Sequence, residues 1–244
     1  MPVEGSDEEK RTNEIKVAIP ILETLDDIEG KTITVDALLT QRAIAEYIVT
    51  ERHANYLFPV KGNQKRLYED IKLHFQNLGK PNFVDCTPPD HGRIEIRKIW
   101  VADVDALCWY LDFPHVKQAF VIEREATNKK TGKVSKEIAY CITSHPKTEA
   151  TAERLLSINR KHWTIENSCH YIIDWNYDED RSRIRVGHGP ENMTRLRRFA
   201  VGLLKSKGVR SVAQAMRKLM LNTRTVFTYL RMTENSSPRA ACTI

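Results

Sequence analysis

The stretch "KTITVDALLTQRAIAEYIVTERHANYLFPVKGNQ", Lys31 to Gln64, decides the fold of this chain. It opens with a β-branched run from Thr32 to Val35 that is typical of a buried strand. Apolar residues at helical spacing follow in "LLTQRAIAEYIVTER", and "NYLFPV" has the composition of a second buried strand. An amphipathic helix, "QKRLYEDIKLHFQNL", comes next. The order strand, helix, strand, helix predicts an α/β fold with a parallel sheet and helical crossovers.

The segments on either side follow other patterns. Asn13–Leu25 has helical spacing interrupted by Pro20, which predicts a short or broken helix. "PNFVDCTPPDHG" is typical of a loop, "GRIEIRKIWVA" alternates like a half-buried strand, and Gln118–Pro146 predicts a β-hairpin. We therefore predict four parts: an α/β part (1–76), an inserted β region (77–147), a helical part (148–233) and a disordered tail (234–244).

Composition excludes several classes of protein. The 244 residues are 41% hydrophobic, which is enough for a sizeable core, and no apolar run approaches the roughly 18 residues of a membrane helix. The N-terminal "MPVEGSDEEKRTNE" is charged where a signal peptide needs an apolar stretch. The five cysteines form no CxxC pair, which argues against a disulfide framework or a zinc ribbon. We expect a soluble cytoplasmic protein.

Positive charge is concentrated in the last third of the chain. The net charge is +6, but residues 160–231 contain 15 Lys and Arg against 6 Asp and Glu, whereas the remainder contains 23 against 26. Such asymmetry suggests a polyanionic partner, most simply nucleic acid. A solvated basic helix face explains the charge alone about as well.

Two carboxylates occupy positions that suit chemistry. Asp36 stands where its strand ends, and ligand sites of open α/β sheets collect at the carboxyl ends of strands. Capping of the following helix by Asp36 is an equally good interpretation, because Asp is a favoured N-cap residue.

Glu166 is the second of these carboxylates. On a helix it would share one face with His162, His170 and Asp174, which are spaced four residues apart. The stripe is consistent with a structural row of hydrogen-bonded groups, or with a zinc site, although its spacing is not H-E-x-x-H. A third interpretation is a magnesium site shared with a carboxylate of the sheet, which suits basic surroundings if the substrate is a phosphodiester.

Four stretches carry a resemblance to a known family: "TITVDALLTQ", "YLFPVKGNQ", "RKHWTIENSCHYIIDWNYDEDRSRIR" and "NMTRLRRFAVGLLK". In order and spacing they resemble the C-terminal two thirds of bacterial insertion-sequence transposases of the DDE class, in the branch that includes the H-repeat-associated proteins. The resemblance runs from about Asn13 to Arg231. The combination of "HWTIEN" with "EDRSRIR" is its most specific part.

The resemblance implies an RNase H-like mixed sheet with a β insertion before the last catalytic helix. It also implies three carboxylates that hold two Mg²⁺ ions, with Asp36 as the second aspartate and Glu166 as the glutamate. The activity implied is phosphoryl transfer, the cleavage and joining of double-stranded DNA at transposon ends and target. Nucleoid association and a homo-oligomer are further expectations from the family.

The first aspartate of the family lies upstream in an Asp-Gly-Lys step, which this sequence does not contain. We therefore expect an N-terminally truncated transposase whose sheet lacks its first strands and which is inactive alone. The alternative is a non-catalytic DNA-binding remnant that occupies transposon ends or pairs with an intact transposase.

Two groups of residues are predicted to contact DNA. The resemblance places Lys61, Asn63 and Gln64 in a substrate-contacting loop, although an ordinary turn explains them nearly as well. The second group lies in the basic last third of the chain. An apolar stripe on the predicted helix there should pack inward and turn the nearby arginines to solvent; its residues are Leu196, Phe199, Ala200 and Leu203. Arg181 is expected to pair with the acidic residues before it. The arginines predicted to bind phosphates are Arg183, Arg185, Arg195 and Arg198.

Overall fold

The computed structural model describes residues 7–90, 93–104, 111–163 and 171–230. The chain divides into two compact units, residues 1–162 and 163–244. The predicted tail, residues 234–244, lies outside the described part. The predicted boundaries near residues 76 and 147 stay predictions.

The first unit contains one sheet and four α-helices among its described residues, and a π-helical turn, Tyr47–Glu51, continues the second of these helices. Pro20 does not break the first helix, which runs through it. The elements are, in order, α1 Asp7–Glu23, β1 Thr32–Thr34, α2 Arg42–Glu46, β2 Asn55–Val60, α3 Lys65–His74, β3 Phe83–Asp90, β4 Arg93–Asp103, β5 Gln118–Asn128, β6 Val134–Thr143 and α4 Ala152–His162.

The sheet is mixed and has the strand order β1-β2-β6-β5-β4-β3. β1 and β2 are parallel and joined through α2, as the sequence predicts, whereas the remaining neighbours are antiparallel. The predicted α/β class and the predicted hairpin, β5 and β6, are confirmed. β6 also pairs with β2, so the strands of the predicted β insertion belong to the same sheet as β1, the strand that precedes Asp36.

The prediction of a loop at "PNFVDCTPPDHG" is wrong, because Phe83–Asp90 forms β3. β3 is an edge strand that pairs with β4 alone, and its register shifts between Thr87 and Asp90. Pro88 and Pro89 lie at this shift. Prolines are tolerated at such places because an edge strand needs hydrogen bonds on one side only.

Helices cover both faces of the sheet. Alternate residues of β2 point to opposite sides, so Tyr56 and Phe58 pack in a core with α2 and α3, and Leu57 packs in a second core with α4. Leu155 and Leu156 are the buried residues that α4 contributes. β2 therefore contributes side chains to both cores, as β5 and β6 also do.

The second unit is helical in its described part. It consists of a π-helical turn Ile172–Asn176, a 3₁₀ turn Glu179–Arg181, and the helices α5 Gly189–Ser206, α6 Val212–Met220 and α7 Thr223–Tyr229. Its core joins the π-helical turn to α5 and α6 through five residues: Ile172, Ile173, Val201, Leu204 and Val212. No described helix in either unit is long and apolar enough to cross a membrane.

The predicted inward stripe of α5 is wrong. Leu196 and Phe199 are each 60% exposed, and the buried residues of this helix are Val201 and Leu204. The reason is that α5 packs against Ile172 and the other core residues named above with a face rotated away from the predicted one. Helical spacing alone cannot decide between two apolar stripes on one helix.

Candidate functional site

Asp36 lies just beyond β1, at the carboxyl end of the parallel pair. Its carboxylate is exposed, and Oδ1 accepts a hydrogen bond of 2.6 Å from the backbone N–H of Leu38. Asp36 is therefore the N-cap of the 3₁₀ turn Ala37–Leu39. Its Oδ2 makes no hydrogen bond or ion pair with the residues that the structure describes, so one carboxylate oxygen is oriented and the other faces solvent.

The loop after β2 is tied to the turn that Asp36 caps. Asn63 donates from Nδ2 to the carbonyl of Ala37 at 2.5 Å, and Gln64 donates from Nε2 to the carbonyl of Thr40 at 2.8 Å. The Thr40 hydroxyl in turn donates to the carbonyl of Pro59 at 2.7 Å. The two loops at this edge therefore form one hydrogen-bonded unit, in which both side-chain amides already have structural partners.

Loss of either amide should cost stability. Asn63→Ala and Gln64→Ala are each expected to lower the free energy of unfolding by about 0.5–1.5 kcal/mol, the net value of one hydrogen bond. Lys61→Ala removes an exposed side chain of the same loop and should change it by less than about 0.5 kcal/mol. Urea denaturation followed by circular dichroism measures all three. If both amide variants were as stable as Lys61→Ala, these hydrogen bonds would not hold the loop.

One face of β1 carries two threonine hydroxyls that bind histidines. Thr32 Oγ1 lies 2.7 Å from Nε2 of His145, and Thr34 Oγ1 lies 3.1 Å from Nδ1 of His162. His162 is the last residue of α4, and Thr34 precedes Asp36 by two residues. The end of α4 is therefore held beside the strand end at which Asp36 stands.

Glu166 and His170 lie outside the described residues, so the predicted meeting of Asp36 with Glu166 stays a prediction. In the sequence, Glu166 follows His162 by four residues. Among the residues that the structure does describe, no group of three or more His, Cys, Asp or Glu could hold a metal ion. Asp36 offers an exposed carboxylate oxygen, the kind of ligand that Mg²⁺ prefers, so its chemistry fits such an ion.

His145 is a buried titratable group next to this site. Its Nδ1 has no hydrogen-bond partner in the described part of the chain. Burial lowers the pKa of His145 from its usual 6.5, and the charge of Arg154 adds to this, whereas Glu149 opposes it. Burial therefore favours the neutral form of the ring, which lies against the Thr32 hydroxyl.

Acid should destabilise the first unit through His145. A folded-state pKa below the unfolded value of 6.5 means that the unfolded chain binds the proton more tightly. The resulting stability is complete above pH 6.5 and is lost as the pH falls from there through the folded-state pKa. The free energy of unfolding should therefore fall more steeply with acidification in the wild type than in His145→Gln. Parallel pH profiles for the two proteins would contradict this.

All four arginines predicted to bind DNA are exposed. Arg183 and Arg198 make no ion pair with described residues, Arg185 donates to the carbonyl of Ile184 at 3.0 Å, and Arg195 pairs with Glu191 at 2.5 Å. Whether they bind phosphates stays a prediction.

Two further arginines of the second unit, Arg181 and Arg197, form ion pairs with acidic residues of the same unit. Arg181 lies 3.6 Å from Asp178, as the acidic residues before it suggested. Arg197, whose side chain is 12% exposed, lies 3.8 Å from Glu179. The Arg197 pair is largely buried and contributes to the structure of the second unit, whereas the Arg181 pair lies at the surface.

Comparison with known proteins identifies the family. Residues 7–200 match the transposase DDE domain. The chain therefore belongs to the DDE transposase family, which confirms the resemblance seen in the sequence.

Three relatives are particularly informative. The chain is 33% identical over 209 residues to "Putative protein YbfL" and 32% identical over 209 residues to "H repeat-associated putative transposase YhhI", both of Escherichia coli (strain K12). Each match covers 82% of this chain and 54% of the relative. "Putative transposase YncI" of Escherichia coli O157:H7 is 32% identical over 226 residues, or 88% of this chain and 56% of that protein. The chain thus spans about half the length of these relatives.

Proposed function

We propose that this chain carries part of the catalytic domain of a DDE transposase and acts in phosphoryl transfer on double-stranded DNA. In this proposal Asp36 and Glu166 are catalytic metal ligands on an RNase H-like sheet. The observation that carries it is the exposed Asp36 at the carboxyl end of β1, next to a hydrogen bond between Thr34 and His162. The family membership supplies the class of reaction.

Carboxylates suit this chemistry because Mg²⁺ prefers hard oxygen ligands and leaves positions open for water and phosphate. Two such ions, when bound, would lower the pKa of the attacking hydroxyl or water and stabilise the leaving oxygen. The protein's part is to orient these ligands. The N–H of Leu38 fixes one oxygen of Asp36, while Asn63 and Gln64 brace the turn from the neighbouring loop. Lys61, Asn63 and Gln64 are the proposed contacts of this loop with DNA.

The exposed arginines of the second unit would hold DNA by its phosphates, without reading its sequence. Arg183, Arg185, Arg195 and Arg198 are the proposed contacts. From the family we also propose that the protein forms a homo-oligomer and is located in the cytoplasm at the nucleoid.

The second candidate is a DNA-binding protein without catalysis of its own. Its support is that the exposed arginines lie in the second unit, whereas Asp36 lies in the first. On this candidate the chain binds duplex DNA and cleaves none, with or without Mg²⁺.

Salt dependence of DNA binding tests the arginines. The double variant Arg195→Ala, Arg198→Ala should reduce the slope of log affinity against log salt by about 1.8, since each lost phosphate contact contributes roughly 0.9 for duplex DNA. Lys129→Ala, Lys130→Ala removes the same charge from the exposed β5–β6 turn and should leave the slope unchanged. Titration of labelled duplex at several salt concentrations measures both. Equal slopes for the two variants would mean that these arginines form only a solvated face.

A further inference from the structure

Two large aromatic side chains are displayed on the surface of the second unit. Tyr171 and Trp175 are 56% and 73% exposed, and their rings are nearly parallel, with an interplanar angle of 7° and centroids 6.3 Å apart. They are four residues apart, about one helical turn. Burial of rings of this size stabilises a protein considerably, so the fold gives up that stabilisation here.

The backbone beneath this aromatic pair is anchored. Ile172 and Ile173, which follow Tyr171 directly, are buried against Val201 and Leu204 of α5. The chain therefore buries two adjacent isoleucines and exposes both rings, one on the residue before the π-helical turn and one within the turn. Because the turn is packed in this way, the backbone that carries both rings is held in place by the core of the unit.

The charges near the pair indicate which part of a nucleic acid it fits. Asp174 is exposed on the segment that carries both rings, and it disfavours a phosphate directly over them. Arg183 and Arg185, eight and ten residues beyond Trp175, are exposed in the same unit and can hold the backbone. The surface thus suits the flat, apolar face of a base whose phosphates lie elsewhere.

We propose that Tyr171 and Trp175 form a stacking site for an unpaired base of the DNA substrate. Paired bases in a duplex already have both faces covered by their neighbours, so a protein ring can stack only on a base that has left the helix or has no partner. This inference rests on the proposed function, because it assumes that the chain binds DNA. It adds a preference for DNA with an unpaired nucleotide, which the arginines alone would not give.

The test compares two DNA probes of the same length and charge. One is a perfect duplex, and the other contains a single unpaired 2-aminopurine, whose fluorescence falls when it stacks on an aromatic ring. The wild type should bind the second probe more tightly and quench it. Trp175→Ala should weaken binding of that probe about 5- to 150-fold, equivalent to roughly 1–3 kcal/mol for one stacked base at 1.36 kcal/mol per factor of ten. Binding of the perfect duplex should be unchanged.

Two further variants separate stacking from other effects. Trp175→Phe keeps an aromatic face and should retain most of the preference, and Phe227→Ala removes a different exposed ring of the second unit and should retain all of it. If Trp175→Ala bound both probes as the wild type does, the stacking site would be refuted while the proposed function stood. A wild type that bound neither probe would overturn both. If Trp175→Ala changed the sedimentation coefficient of the protein without changing its binding of either DNA probe, Trp175 would form a contact between protein chains. That result would likewise refute the stacking site.

Discussion

Asp36→Asn should lower metal-dependent strand cleavage about 1,000-fold or more in a transposase that contains this sequence. Asn is as good an N-cap as Asp, so the variant keeps the hydrogen bond to Leu38 while it removes the negative charge. A metal ion contributes several kcal/mol to the stabilisation of the transition state, and each 1.36 kcal/mol is a factor of ten in rate. Glu166→Gln should have an effect of the same size.

Cleavage of end-labelled duplex in Mg²⁺ measures this effect. Asp27→Asn is the matched control, because Asp27 is an exposed carboxylate of the same unit that pairs with Lys31 at 2.9 Å. Its backbone has a φ of 53°, which Asn also adopts readily, so this variant should cleave like the wild type. Full activity of Asp36→Asn would leave Asp36 with a capping role only.

Phe58→Ala should lower the free energy of unfolding of the first unit by about 3–5 kcal/mol. Phe58 is fully buried on β2, and its ring stacks on that of Tyr56 with centroids 4.5 Å apart. The cavity left there would lie in the core that β2 forms with α2 and α3. The loss should lower the melting temperature by roughly 6–20 °C for a protein of this size.

Denaturation by urea and by heat, followed by far-ultraviolet circular dichroism, measures this loss. Leu73→Ala on α3 is the control, because Leu73 is largely exposed and should change stability by about 0.5 kcal/mol or less. A loss below about 1 kcal/mol in Phe58→Ala would contradict the position of β2 in the core.

The parts of the fold that the sequence predicts are those set by local periodicity. The β-branched run at Thr32, the second strand with Phe58 and the hairpin around residue 130 each contain their own signal. β3 lacks one, because Pro88 and Pro89 are typical of loops and are tolerated here only by the position of the strand at the edge. That position depends on the whole sheet, which no local pattern reveals.

The candidate site likewise has one part that local sequence predicts and another part that depends on contacts between distant residues. The end of a strand is a local feature, so Asp36 could be placed from the sequence, together with its alternative role as a cap. The bonds from Thr32 to His145 and from Thr34 to His162 join residues 113 and 128 positions apart, and nothing near either partner indicates the other. The alternation of threonines in β1 was the one signal that could have drawn attention to this face.

The most direct test of the proposed metal site is cleavage of the protein backbone by bound iron. Fe²⁺ takes oxygen ligands like those of Mg²⁺, and with ascorbate and peroxide it generates radicals that cut the chain beside its ligands. Mass spectrometry of the fragments should show cuts near Asp36 and near Glu166 in the same sample. Excess Mg²⁺ should suppress both sets, and Asp36→Asn should reduce both. Cuts near one carboxylate and none near the other, or cuts near both that respond independently to Asp36→Asn, would contradict a shared site.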